Sequence, residues 1–224
     1  MKPGPDDSLR ILKEGNLRFA SGNFRNPHRD TLRLAMAGSE EESDHVLATV
    51  LSCSDSLVPL EILFDIGVMD VHAIRSFGNI CSASEAAAVE YGVKVLKTPL
   101  LILLGHTRCG AARLSLNSAQ GKSDPLDRNL SLHLKQLRNA ADKVVKDFSG
   151  LEEEQMLSMI IEANLWRNLE ELLLISPAVR EAAISESLKI ACGIYDVSSG
   201  RIDWLASTST DSALQRASKS SKRQ

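Results

Sequence analysis

Three runs of contiguous apolar residues punctuate the first half of the chain, at positions 45–52, 71–75 and 100–104. They do not alternate with polar residues, so each is expected to be buried on both faces, as in a parallel sheet covered by helices. Pro99 introduces the third run and Gly105 is expected to stop it. The Ala-rich stretch 84–96 between the second and third runs reads as a crossover helix. Upstream, Ser8 to about Ala20 forms a helical pattern, with Ser8 as its cap and Leu9, Leu12 and Phe19 roughly on one face. Residues 24–45 are polar and read as an arm that adds little core. Long helical patterns occupy about 128–147 and 152–174, and 188–197 reads as a further strand. Ser198-Ser199-Gly200 turns that strand into 201–205 as a hairpin. The predicted fold is α/β, with a mainly parallel central sheet, an antiparallel edge and flanking helices. Its divisions are an N-terminal helix and arm (1–45), an α/β domain (46–205) and a polar, disordered tail (206–224).

Composition narrows the class. Among 224 residues, 43 % are apolar and 25 % charged, enough to build a core without disulfides. A net charge of −3 argues against nucleic acid or an anionic membrane as the main partner. The basic residues Arg216, Lys219, Lys222 and Arg223 sit in a Ser-rich stretch and read as solvated. No apolar run reaches the roughly 18 residues of a membrane span, and Met1–Asp7 lacks the apolar stretch of a secretory signal. A cytoplasmic protein is expected. In a reducing compartment the four cysteines (53, 81, 109 and 192) read as metal ligands, catalytic groups or buried thiols.

Candidate chemistry gathers at strand ends. The first run ends in Cys53-Ser54-Asp55 and the third in Gly105-His106-Thr107-Arg108-Cys109-Gly110. In open parallel sheets, functional groups collect beyond the carboxyl ends of the strands. If the first and third strands are neighbours, Cys53, His106 and Cys109 converge. Two thiolates and one imidazole form a zinc set that leaves a fourth position for water. The alternative, a buried Cys53 thiol and a His106 satisfied within its turn, stays open on spacing alone.

An ordered series of motifs goes further. Cys53-Ser54-Asp55-Ser56-Leu57-Val58-Pro59 and Gly105–Gly110 resemble the paired CxDxR and HxxCG motifs of β-carbonic anhydrases. Phe64-Asp65-Ile66-Gly67, Ile74-Arg75-Ser76-Phe77-Gly78-Asn79 and Glu90-Tyr91-Gly92-Val93 are similar to that family's intervening segments. Asn164-Leu165-Trp166, Ser176–Arg180 and Gly193–Asp196 resemble its last helices and final hairpin. The resemblance covers about residues 8–205. It implies a Zn2+ cofactor on Cys53, His106 and Cys109, and reversible hydration of carbon dioxide to bicarbonate. Asp55 would be the acid/base carboxylate, or a fourth ligand in a closed form. The resemblance also implies a homodimer, or a tetramer built from dimers.

One position departs from the motif. The family's Arg two residues after the Asp restrains the carboxylate by a charge-assisted hydrogen bond; here it is Leu57, with Arg75 and Arg108 as candidate replacements. His72, Phe77 and Tyr91 fall at the family's pocket positions. His72 reads either as a strand residue with a local partner or as a proton shuttle. Two further readings stay open. One is a zinc hydrolase for carbonyl sulfide or carbon disulfide; the other is a zinc-binding member whose catalysis has decayed.

Overall fold

The computed structural model describes residues 2–123 and 125–221. Along the chain run α1 (Pro5–Ala20), α2 (Thr31–Ala37), β1 (Ala48–Cys53), α3 (Leu60–Leu63), β2 (Val71–Ser76) and α4 (Ala83–Lys94). Then follow β3 (Leu100–His106), α5 (Gly110–Ala119), α6 (Arg128–His133), α7 (Lys135–Asp147) and α8 (Glu153–Ile175). The chain closes with α9 (Pro177–Ile184), β4 (Lys189–Tyr195), β5 (Ile202–Trp204) and α10 (Ser207–Ser221).

The five strands form one sheet in the order β2-β1-β3-β4-β5. The first three pairings are parallel and β4–β5 is antiparallel, as the apolar runs and the hairpin predict. β1 and β3 are buried at every residue, which is why their sequences do not alternate. Successive side chains nevertheless point to opposite faces. Leu100, Ile102 and Leu104 join a cluster with Leu12, Leu63, Leu116 and Leu137, while Leu101 and Leu103 join Val89, Leu165, Leu172 and Val179 on the other face. Helix α8 serves both: Met156 to Ile161 belong to the first cluster and Leu165 to Leu173 to the second. Gly105 does not stop the third strand. It pairs with Ile194 inside β3, and a Cβ there would press on Ile161 of α8 at 3.2 Å, so the glycine lets that helix lie close.

Local chemistry sets the helix ends. Helix α1 starts at Pro5 rather than Ser8, since proline at a first position needs no N–H partner and Asp6 and Asp7 suit the positive helix end. Ser8 is buried inside the helix. Glu85 closes the start of α4 by accepting from the Ser82 N–H (2.9 Å), and the Ser176 hydroxyl accepts from the Val179 N–H (3.3 Å) ahead of α9. The helical pattern at 128–147 divides at Leu134, where α6 ends and α7 begins.

Two regions differ from expectation. The tail expected to be disordered forms α10 through Ser221: Thr210, Ala213 and Ala217 make a narrow buried stripe, and Arg216 pairs with Glu170 of α8. Small side chains gave that stripe no visible hydropathy in the sequence. Lys222 and Arg223 lie outside the described residues.

The arm at 24–45 contains α2 and is fastened by polar bonds. Asp65 accepts from Arg18 Nε (2.5 Å) and from the N–H groups of Arg25 and Asn26. Asp70 binds His28 Nδ1 (2.8 Å), Arg33 Nη2 (3.0 Å) and the Gly67 N–H (2.8 Å). Burial of Asp65 opposes its ionisation, but Arg18 and the two backbone donors outweigh it, and its pKa is lowered. The carboxylate therefore stabilises the fold above the ordinary Asp range, and that contribution is lost as pH falls through the lowered value. Asp65→Asn should cost about 2 kcal/mol at pH 7. In denaturant titrations its deficit should shrink as pH is lowered below about 4; a deficit independent of pH would contradict this account.

Candidate metal centre

Parallel pairing of β1 with β3 aligns Ser52 with Leu104, so Cys53 and His106 emerge at the same end of the sheet. The chain then turns. Arg108 takes a left-handed conformation (φ 59°), a cost of about 1–2 kcal/mol for a residue with a Cβ. That turn brings Cys109 to the residue preceding α5. The sulfurs of Cys53 and Cys109 and a ring nitrogen of His106 come within 4.8 Å of one another, and all three residues are buried. This is the only such group among the described residues.

Each side chain is held by its surroundings. His106 Nδ1 is 2.9 Å from the Thr107 carbonyl and so carries the proton. His106 Nε2 is left buried with its lone pair and no partner. Thr107 is itself gripped by the end of β4. Its N–H donates to the Tyr195 carbonyl (2.9 Å), and its hydroxyl accepts from the Val197 N–H (3.1 Å) and donates to Asp196 (3.3 Å). The Ser199 hydroxyl, with the Ser198 N–H and hydroxyl, holds the Asp196 carboxyl at about 2, so it accepts as a carboxylate throughout the physiological range.

Cys53 Sγ accepts from the N–H groups of Asp55 (3.4 Å) and Gly78 (3.3 Å). Its pKa is lowered to about 4, first by the Cys109 thiol donating to it and then, against the cost of burial, by these two backbone groups. Cys109 is pushed up, chiefly because it faces the Cys53 sulfur, and the Ala112 and Ala111 N–H groups of α5 only partly offset this. The site thus forms one thiolate readily and resists the second until a cation lies between them. An unpartnered imidazole lone pair facing two sulfurs is a soft donor set, which fits Zn2+ and not Mg2+ or Ca2+. Cys81 and Cys192 are pushed to about 12 by burial and stay thiols away from this group.

The remaining predicted residues divide by distance. Asp55 is not part of the three-atom group. Its carboxylate accepts from the Leu57 N–H (3.0 Å), while Arg75 donates to the Asp55 and Cys53 carbonyls (2.6 and 3.3 Å). Arg75 therefore holds the loop's backbone, not the carboxylate that the motif Arg would restrain. Leu57 is 40 % exposed beside it. Phe77 precedes Gly78 and stacks on His133 (6.2 Å). His72 pairs in register with Thr49, four residues before Cys53, or roughly 13 Å away along the strand. There it bonds the Ala88 carbonyl (3.1 Å) and packs on Tyr91 (5.6 Å). Sequence reasoning did not assign the supports Gly78, Thr107 and Asp196. The signal available for the first was a Gly-Asn pair one residue beyond the end of a strand.

Comparison with known proteins agrees with this architecture. The family model described as carbonic anhydrase matches residues 48–202. The carbonic anhydrase of Mycolicibacterium smegmatis is 37 % identical over 114 residues, 51 % of this chain and 54 % of that protein. The carbonic anhydrase of Synechococcus elongatus is 28 % identical over 211 residues, covering 91 % and 74 %. The crystal structure of the β-carbonic anhydrase CafA of Aspergillus fumigatus superposes with a TM-score of 0.73 at 23 % identity, covering 96 % and 97 %. A tetrameric β-carbonic anhydrase of Sordaria macrospora gives 0.68 at 23 % identity, covering 90 % and 98 %. The chain belongs to the β-carbonic anhydrase family. It spans about half the length of the mycobacterial relatives it matches.

Proposed function

We propose that this protein catalyses the reversible hydration of carbon dioxide to bicarbonate, with Cys53, His106 and Cys109 holding Zn2+. One observation carries the reading: the sulfurs of Cys53 and Cys109 and a ring nitrogen of buried His106 lie within 4.8 Å of one another, and His106 Nε2 has no hydrogen-bond partner. A bound zinc supplies the Lewis acidity that brings water's deprotonation toward neutral pH. The chain's own groups do the rest. Thr107 fixes the imidazole tautomer, while Gly78 and Asp55 N–H groups fix the Cys53 sulfur. The Asp55 carboxylate, next to the site and held by a single backbone N–H, is the group suited to accept and return a proton. In this proposal Leu57 and Phe77 belong to the substrate's approach, as their motif positions imply.

His72, at the start of β2, and Tyr91 of α4 would join a site only across a contact between copies. A homodimer belongs to the proposal, supported by the exposed apolar side chains of Leu32, Leu34, Ile62 and Tyr91. A cytoplasmic setting does too: all four cysteines are unpaired, and no described helix is long and apolar enough to cross a membrane. An uncharged Leu57 beside Asp55 is the feature that favours the sulfur-substrate alternative. Hydrogen sulfide release from carbonyl sulfide, without bicarbonate formation from carbon dioxide, would establish it instead.

Two outcomes test the proposal. Purified protein should carry about one zinc per chain, and Cys109→Ser should lose most of it by metal analysis; full occupancy in that variant would refute the ligand set. Second, Leu57 is exposed enough to accept a longer side chain, and an Arg there would add a charge-assisted hold on Asp55. Leu57→Arg should hydrate carbon dioxide roughly tenfold faster, the scale of 1.4 kcal/mol. An unchanged rate with metal and fold intact would mean that the Leu57 N–H already restrains the carboxylate fully.

A further inference from the structure

The turn from Phe77 to Cys81, between β2 and α4, opens with a single 3-10 turn at Phe77–Asn79, and side chains from the elements around it bond its carbonyls. The Phe77 carbonyl is bonded by His133 Nε2 of α6 (2.7 Å), and the Gly78 carbonyl by Asn164 Nδ2 of α8 (2.9 Å). Asn168 Nδ2, one helical turn on, takes the Asn79 carbonyl (3.1 Å), and the Ser76 hydroxyl takes that of Ile80 (2.6 Å). Four successive carbonyls thus each receive a different side chain. Asn168 Oδ1 also accepts from the Cys81 N–H (3.0 Å), and Asn164 bonds Asn79 Oδ1 (2.9 Å).

These bonds hold a conformation the backbone does not favour. Gly78 and Asn79 both lie in the left-handed region (φ 72° and 44°), and a Cβ on Gly78 would meet Ala111 Cβ at 2.8 Å. With the carbonyls all drawn outward, the Gly78 N–H is the group left facing the Cys53 sulfur, at 3.3 Å. Asn164 and Asn168 are almost wholly buried within an otherwise apolar helix face. Buried amides are retained only where their bonds are made, and here every one of those bonds ends on this turn.

We infer that Asn164 and Asn168 are positioning residues for the metal centre. By clamping the Phe77–Cys81 turn they aim the Gly78 N–H at Cys53 and set how much electron density that sulfur gives a metal. The hydrogen bonds of both asparagines go to the turn and not to the three ligand side chains. Partners of this kind tune a site and commonly change metal affinity tenfold to a hundredfold when removed. The inference rests on the proposed ligand set, though not on turnover.

Its test uses Co2+ alone as the probe, loaded into the full chain. An N–H donor withdraws density from a thiolate, so loosening it should move the sulfur-to-cobalt charge-transfer band to longer wavelength. Asn164→Ala should show that shift, with metal affinity in chelator competition reduced about tenfold. His133→Ala, on the exposed side of the turn, should shift the band the same way by less, and decides the matter alone if Asn164→Ala does not fold. Leu173→Ala provides the control, since it loosens the far core on the same helix and should leave the band in place. An unmoved band in both turn variants, or an equal shift in Leu173→Ala, would overturn the inference. Full metal retention in Cys109→Ser would instead defeat the ligand set beneath it, so the two failures are distinct.

Discussion

Everything at the site depends on the parallel pairing of β1 with β3. Cys53 and His106 are 53 positions apart in the chain, yet the register that places Ser52 beside Leu104 sends both off the same edge of the sheet. Parallel strands need a crossover, and the chain supplies two, by way of α3 and then α4 with β2 on the outside. Had β2 been inserted between them, a strand's width of about 4.8 Å would separate the ligands further. Placing β2 at the edge keeps the central pair adjacent and makes its following turn a wall of the site.

Continuous apolar runs on β1 and β3 and the Cys-Ser-Asp and His-x-x-Cys ends were legible without coordinates, because burial on two faces and soft-ligand chemistry both constrain residue type. The supports were not. Thr107 and Asp196 lie 89 positions apart, and nothing in either residue announces that one holds the other. Asn164 reads as one polar interruption in an apolar helix until the turn it serves is seen. Leu57 shows the opposite case. Its departure from the motif is plain in sequence, but only the structure places Arg75 on backbone carbonyls, leaving the Asp55 carboxylate to the Leu57 N–H.

Two segments show that packing need not be apolar or bulky. The arm at 24–45 has little hydrophobic content and is held through Asp65 and Asp70, two buried carboxylates with three or more donors each. Helix α10 packs through alanines and a threonine, whose small surfaces scarcely register in a hydropathy profile yet permit close helix contact. In both, the information lies in what surrounds the residue and not in the residue.

Helix α8 belongs to the cores on both faces of the sheet and, through Asn164 and Asn168, to the turn beside Cys53. A helix with such divided loyalties cannot detach from one layer and stay seated on the other. Partial opening at the metal end must therefore recruit the distant layer, merging what could have been two independently fluctuating units into one cooperative block. Amide protons at the centre of α8 are then expected to be among the slowest of the domain to exchange with solvent.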